Sequence, residues 1–216
     1  MKNNNVCLIP VWVVGMLTLV GCQRAANWAI SSFDQGTTNE LPTNLVKPYI
    51  KSVVVHSQLS TKGIFDALWL ADAVRTASTD VLIMRAGKSL GQHHTLLRRQ
   101  LEENKHYIMF YIVTEYDVPL GDCAQWQIFL RIGDQTYQPR ELKVTDLPCE
   151  YKVFFGKRFG KTKIAYLAKF DAQDSNEKPI IISNKTESIQ LCLRSIEKQA
   201  VLEWPLDGTG KTIKDV

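Results

Sequence analysis

Read from the amino terminus, the hydrophobic positions first run together, then thin out, then recur at helical spacing, and finally alternate. Val6 to Gly21 is almost wholly apolar, with Pro10 the one interruption. Residues 22–48 are rich in Ser, Thr, Asn and Gln, carry Pro42 and Pro48, and show no sustained period, which predicts a flexible tether. Within 49–105 a strand is expected first, because Val53-Val54-Val55 is a β-branched run. From Lys62 the spacing turns helical: Ile64, Leu68, Ala71, Val74 or Arg75, and Ser78 share a side, Phe65 and Trp69 lie beside it, and Asp66, Asp72 and Arg75 can face water. Gly87 to Gly91 breaks the pattern. A second helix over Gln92 to Lys105 buries Leu96, Leu97 and Leu101, and places Arg98 with Glu102 and Arg99 with Glu103 at i,i+4.

Residues 106–206 read as strands. His106 to Thr114 is apolar on both parities, as in a strand covered on both faces. Ala124 to Ile132 alternates, with Trp126, Ile128, Leu130 and Ile132 on one face, and Gly133-Asp134 suits a two-residue hairpin loop. Further strands are expected at Tyr151 to Phe155, Lys163 to Phe170, Ile180 to Ser183, Ile189 to Arg194 and Ala200 to Trp204. The predicted class is α+β: an antiparallel immunoglobulin-like β-sandwich of about 100 residues, preceded by two helices packed on one face. Residues 207–216 have mixed charge and two Gly, and read as a disordered tail.

Composition alters this picture little. In 216 residues, 45% are apolar and 22% charged, as in ordinary globular proteins. Removal of Met1 to Gly21 takes Lys2 from the 26 basic residues and none of the 22 acidic ones, so the formal charge falls only from +4 to +3. A general polyanion binder would be more lopsided, and nucleic acid is not an expected partner.

The opening segment changes the picture more. Its 16 residues fall short of the roughly 20 needed to span hydrocarbon, and Met1-Lys2 supplies a positive start, so it reads as the core of an export signal. It ends in Leu19-Val20-Gly21-Cys22, an aliphatic residue at minus three and a small residue at minus one before cysteine. This resembles the lipobox of bacterial lipoproteins. The resemblance implies cleavage of residues 1–21, acylation of Cys22, and a palmitate-type anchor in the cell envelope. Each buried methylene is worth about 0.8 kcal/mol, so two or three chains hold where one does not. By the family's sorting rule, Gln23 after Cys22 favours the outer membrane of a Gram-negative cell. An uncleaved anchor or a plain secretory signal are the other readings of this segment.

Export permits disulfides. With Cys7 lost in the signal, Cys123, Cys149 and Cys192 remain beyond Cys22; Cys123 and Cys149 sit in turn-like contexts and are the preferred pair, while Cys192 lies in an apolar run.

Candidate chemistry is sparse. His93-His94 and the Glu103/His106 spacing lack the further ligands a metal site needs, and no metal or cofactor is expected. Motifs for nucleophilic catalysis and phosphate loops are missing. Tyr107, Tyr111 and Tyr116 could line a sugar-binding face, although core packing accounts for them as well. Lys157, Arg158, Phe159, Lys161 and Lys163 form a basic, aromatic-flanked loop suited to an anionic glycolipid or an acidic envelope protein, or else a solvated loop that guards a sheet edge. The expected function is a membrane-anchored binding or assembly module without catalysis. The alternatives are an envelope hydrolase or carbohydrate-active enzyme whose carboxylates meet only in the fold, and a purely structural lipoprotein.

Overall fold

The computed structural model describes residues 43–57, 60–87, 89–115, 117–121, 124–174, 177–181, 185–207 and 212. Cys22 with the whole signal segment, nearly all of the tether, Tyr116, Cys123 and most of the tail lie outside the described residues.

The chain is α+β, with nine strands in two antiparallel sheets among the described residues. A short helix α1 (Thr43–Val46) and a 3-10 turn (Lys47–Tyr49) lead into β1 (Ile50–Ser57) and β2 (Ser60–Trp69). Two helices follow, α2 (Asp72–Ala86) and α3 (Leu90–His106). After them come β3 (Tyr107–Glu115), β4 (Gln127–Ile132), β5 (Gln135–Tyr137) and β6 (Glu141–Thr145). Helix α4 (Cys149–Phe155) precedes β7 (Lys163–Asp171), β8 (Ser188–Arg194) and β9 (Gln199–Pro205). One sheet runs β1-β2-β3-β7-β6 and the other β5-β4-β8-β9.

The helix expected from Lys62 is a correction. Ser60–Trp69 is a strand paired to β1 and β3, and the helix starts only at Asp72, whose carboxylate suits the positive end of the helix dipole. β2 buries both faces, so its apolar run satisfies i,i+4 spacing as easily as alternation. Asp66 and Arg75, expected in water, are both buried, at 4% and 5% exposure. Gly87, at φ +58, closes α2 in the left-handed conformation that glycine adopts without strain. Ser89 and Gln92 form a capping box at the start of α3.

β3 explains the layering. It is buried over seven consecutive residues, because its two faces meet different partners. The Phe110 ring lies 5.2 Å from Trp204 of β9 and 6.0 Å from Phe170 of β7. On the opposite face Tyr111 lies 4.9 Å from Tyr151 of α4, and Met109 Sδ is 3.4 Å from Arg75 of α2. The second sheet shows the expected alternation: Ile128, Leu130 and Ile132 of β4, and Ala200, Leu202 and Trp204 of β9, point inward. Trp126 packs edge-on at 4.9 Å from Phe65, and Trp204 Nε1 donates to the Tyr49 carbonyl at 3.0 Å.

Two further expectations change. Tyr151 to Phe155 is helical: Tyr151, Phe154 and Phe155 bury one face at i, i+3, i+4, behind Pro148 at the cap and Glu150 in the first turn. Glu141–Thr145, not among the expected strands, is an edge strand beside β7. Ile180 and Ile181 lie in a bend. Among the described residues no helix is long and apolar enough to cross a membrane.

Candidate functional site

A groove of about 980 Å³ lies between α3 and α4. Thr95, Arg99, Glu102 and His106 recur along α3 at helical spacing and form one wall. At 1.5 Å per residue that wall is about 16 Å long. Pro148, Glu150 and Tyr151 form the other wall, and Arg75 and Tyr111 the floor.

The floor is held by a buried guanidinium. Arg75 Nε donates to Asn104 Oδ1 at 3.3 Å, Nη1 to the Tyr151 hydroxyl at 3.1 Å, and Nη2 to Glu103 Oε2 at 3.2 Å. Its side chain is only 6% exposed, so these bonds replace water that burial removed. The Tyr151 hydroxyl also lies 3.1 Å from Ser78 Oγ, which fixes α4 against α2. Burial beside Tyr151 pushes the Tyr111 phenol well above its ordinary range, with Arg75 opposing weakly, so it stays protonated.

Glu103 serves two cations. Its second oxygen, Oε1, lies 3.2 Å from Lys169 Nζ on β7, and Lys169 continues to Glu141 at 3.6 Å, itself 2.6 Å from Lys143. Glu102 pairs with Lys105 at 2.7 Å, a contact that holds its carboxyl below the ordinary range. The i,i+4 partners expected of Arg98 and Arg99 do not come within ion-pair distance, although the Arg98 charge still acts on Glu102. Sequence spacing carried no sign of this, because Arg75 and Lys169 lie far from Glu103 along the chain.

A second cavity, of about 250 Å³, is lined by Tyr49, Trp69, Tyr107, Asp72 and Asn104. Asn104 and Asp72 are engaged with each other and with the backbone: Asn104 Nδ2 donates to the Leu70 carbonyl at 3.0 Å and to Asp72 Oδ1 at 2.8 Å.

The basic loop joins α4 to β7, where a connection between two strands was expected, and it divides. Arg158 is half exposed, with Nε 3.8 Å from Oδ1 of buried Asp66, which also accepts from Ser52 Oγ at 2.5 Å. Lys163 belongs to β7 and faces Glu115 at 3.7 Å, and Phe159 packs on the core with Lys152 Nζ 5.3 Å from its ring centre. Lys157 and Lys161 remain exposed. Of the tyrosines, Tyr111 is on the groove floor, while Tyr107 lies under Arg140 and Lys169 at 5.7 and 5.6 Å.

Cys149 is a free, exposed thiol at the start of α4, and its expected partner Cys123 lies outside the described residues. Cys192 is free and buried, and burial pushes its thiol up. His93 Nε2 lies 2.8 Å from Asp80 Oδ1, and among the described residues no three His, Cys, Asp or Glu side chains cluster as a metal site would need. The chain matches no known family, no curated protein and no solved structure.

Proposed function

We propose that the protein is a membrane-anchored envelope lipoprotein that works as a binding or assembly module, with the groove between α3 and α4 as its contact surface. The observation that carries the binding part is the groove itself: a long recess whose polar floor is fixed in place by Arg75 and Tyr151. The lipobox Leu19-Val20-Gly21-Cys22 supports the anchor, and Gln23 the outer membrane of a Gram-negative cell.

In fold terms we propose an immunoglobulin-like sandwich bearing two helices on one face. In its support, seven strands lie between Tyr107 and Pro205, divided three and four between the sheets. The pairing of β4 with both β5 and β8 departs from the usual order, in which the second strand lies beside the first. The hydrolase reading is weaker, because it needs two carboxylates about 5 to 10 Å apart, one with a raised pKa. In the groove the pairing of Glu102 with Lys105 holds its carboxyl below the ordinary range, the opposite of the raised value such an acid needs, and Glu103 is paired with Arg75 and Lys169.

Anchoring is tested by intact mass and lipid labelling of the expressed protein with membrane fractionation, wild type against Cys22→Ala. Loss of residues 1–21 with gain of acyl mass in the wild type alone supports the reading. An unmodified full-length chain in the cytosol overturns it.

A further inference from the structure

The second cavity carries polar groups that the fold does not use. Tyr49 and Trp69 line it at only 6% and 7% exposure, their rings 5.8 Å apart where the turn before β1 meets the end of β2. Among the described residues neither the Tyr49 hydroxyl nor the Trp69 indole N–H has a hydrogen-bond partner. Nor are these groups fully enclosed, as the unpartnered polar atoms of Thr114, Trp126 and Thr212 are. Both therefore keep access to open space, and the recess that both side chains line supplies it. A buried Tyr or Trp ordinarily finds a partner for its polar tip, as Trp204 does in the same core by donating to the Tyr49 carbonyl at 3.0 Å.

The lining holds one charged side chain, Asp72, at the start of α2. Its Oδ1 accepts from Asn104 Nδ2 at 2.8 Å, and its Oδ2 has no partner among the described residues. Asn104 is in turn held by the Leu70 carbonyl and by Arg75 Nε, which fixes the carboxylate in place. Ala71 at the cap offers no side chain to the first-turn amides, so backbone donors lie beside the carboxylate.

These groups select a class of ligand. An anion would meet the Asp72 carboxylate, which already occupies the positive end of the helix dipole. A cation would be drawn to Asp72 but would give the indole N–H and the first-turn amides nothing to donate to. A purely apolar ligand would strip water from donors and carboxylate alike and pair with neither. A neutral ring with several hydroxyls satisfies them all, because each hydroxyl donates to a carboxylate as readily as it accepts from an N–H, and the C–H face of the ring packs on aromatic side chains. The volume of about 250 Å³ corresponds to about eight water molecules at about 30 Å³ each, room for one such ring.

We infer that this cavity binds one neutral sugar residue. Asp72 accepts from its hydroxyls, the Trp69 indole N–H and the Tyr49 hydroxyl donate to it, and the rings of Tyr49, Trp69 and Tyr107 with Ile108 form the apolar wall. The site does not depend on the groove being a contact surface.

The test uses the full chain in micelles of a detergent without a sugar head group, and titrates it by saturation-transfer NMR. The probes are glucose, galactose, mannose and N-acetylglucosamine, with glucosamine, glucuronate and cyclohexanol as charged and apolar counterparts. At least one neutral sugar should bind, and more tightly than any of the three counterparts. Tyr49→Phe removes one hydroxyl and Asp72→Asn one charge with little change of shape, and each should weaken that binding about fivefold to tenfold. Because the Tyr49 hydroxyl has no partner within the described protein, Tyr49→Phe should leave the unfolding midpoint where it is, which separates lost binding from lost structure. Binding of no neutral sugar, or binding that both variants retain in full, would overturn the inference. Binding of glucosamine alone, lost in Asp72→Asn, would replace the sugar with a small cation, and binding of cyclohexanol alone would replace it with an apolar ligand.

Discussion

Replacing Arg75 separates two roles that a buried charge can play. Each of its partners has a second contact: Tyr151 keeps Ser78 at 3.1 Å, Asn104 keeps the Leu70 carbonyl and Asp72, and Glu103 keeps Lys169 at 3.2 Å. Removing the guanidinium leaves each residue a contact but takes the partner of Asn104 Oδ1 and of Glu103 Oε2, both on partly exposed side chains. Arg75→Met fills most of the same volume with an apolar chain and removes a charge that is costly to desolvate, so its effect on stability should stay within about 1 kcal/mol. Arg75→Ala loses the packed stem as well, and should cost about 2 to 4 kcal/mol, in the range of large-to-small core changes. Urea unfolding followed by tryptophan fluorescence compares the two, with equal slopes required before midpoints are converted. A Met variant as unstable as the Ala variant would show that the charged network itself holds α2 to α4, contrary to this reasoning. In the Met variant Glu103 is released from one cation and can take Arg99 at i,i+4.

Other consequences follow from single contacts. Cys149 should react with a maleimide in the native protein and Cys192 only after unfolding; equal labelling rates would contradict the burial of Cys192. Gly133 sits at φ +56 with no atom near a built Cβ, so Gly133→Ala should cost about 1 kcal/mol from backbone strain alone, and Gly133→Asn should recover much of it. A loss in the Asn variant equal to that in the Ala variant would point to a different cause. The Glu203 carboxyl is held below its ordinary range, first by the hydrogen bond from Gln190 and then by Ser188. A depressed folded value contributes stability above the unfolded pKa of about 4.3 and loses it as pH falls through the folded one. Glu203→Gln should therefore flatten the acid limb of a stability profile below about pH 4, and an unchanged limb would remove Glu203 from the account.

Much of the second sheet was legible because its strands have one wet face. Ile128, Leu130 and Ile132 alternate, as do Ala200, Leu202 and Trp204, and Gly133-Asp134 marks the hairpin between β4 and β5. Legibility failed where both faces are covered or neither is. Phe65, Ala67 and Trp69 bury one side of β2 while Asp66 and Leu68 bury the other, so period two disappears and helical spacing fits by chance. β6 is a short polar edge strand with Val144 59% exposed, and it carries no apolar pattern. Tyr151–Phe155 was misread from its aromatic content, although Pro148 and the i, i+3, i+4 placement of Tyr151, Phe154 and Phe155 were helix signals in plain view. The groove was illegible in principle. It depends on Arg75 meeting Glu103 and Tyr151, contacts that cross 28 and 76 residues of chain.

The most direct measurement is the intact mass of the expressed protein, with lipid labelling and membrane fractionation, for wild type and Cys22→Ala. The account predicts that the wild type alone loses residues 1–21, gains acyl mass and travels with the membrane. An unmodified full-length chain in the cytosol would contradict it.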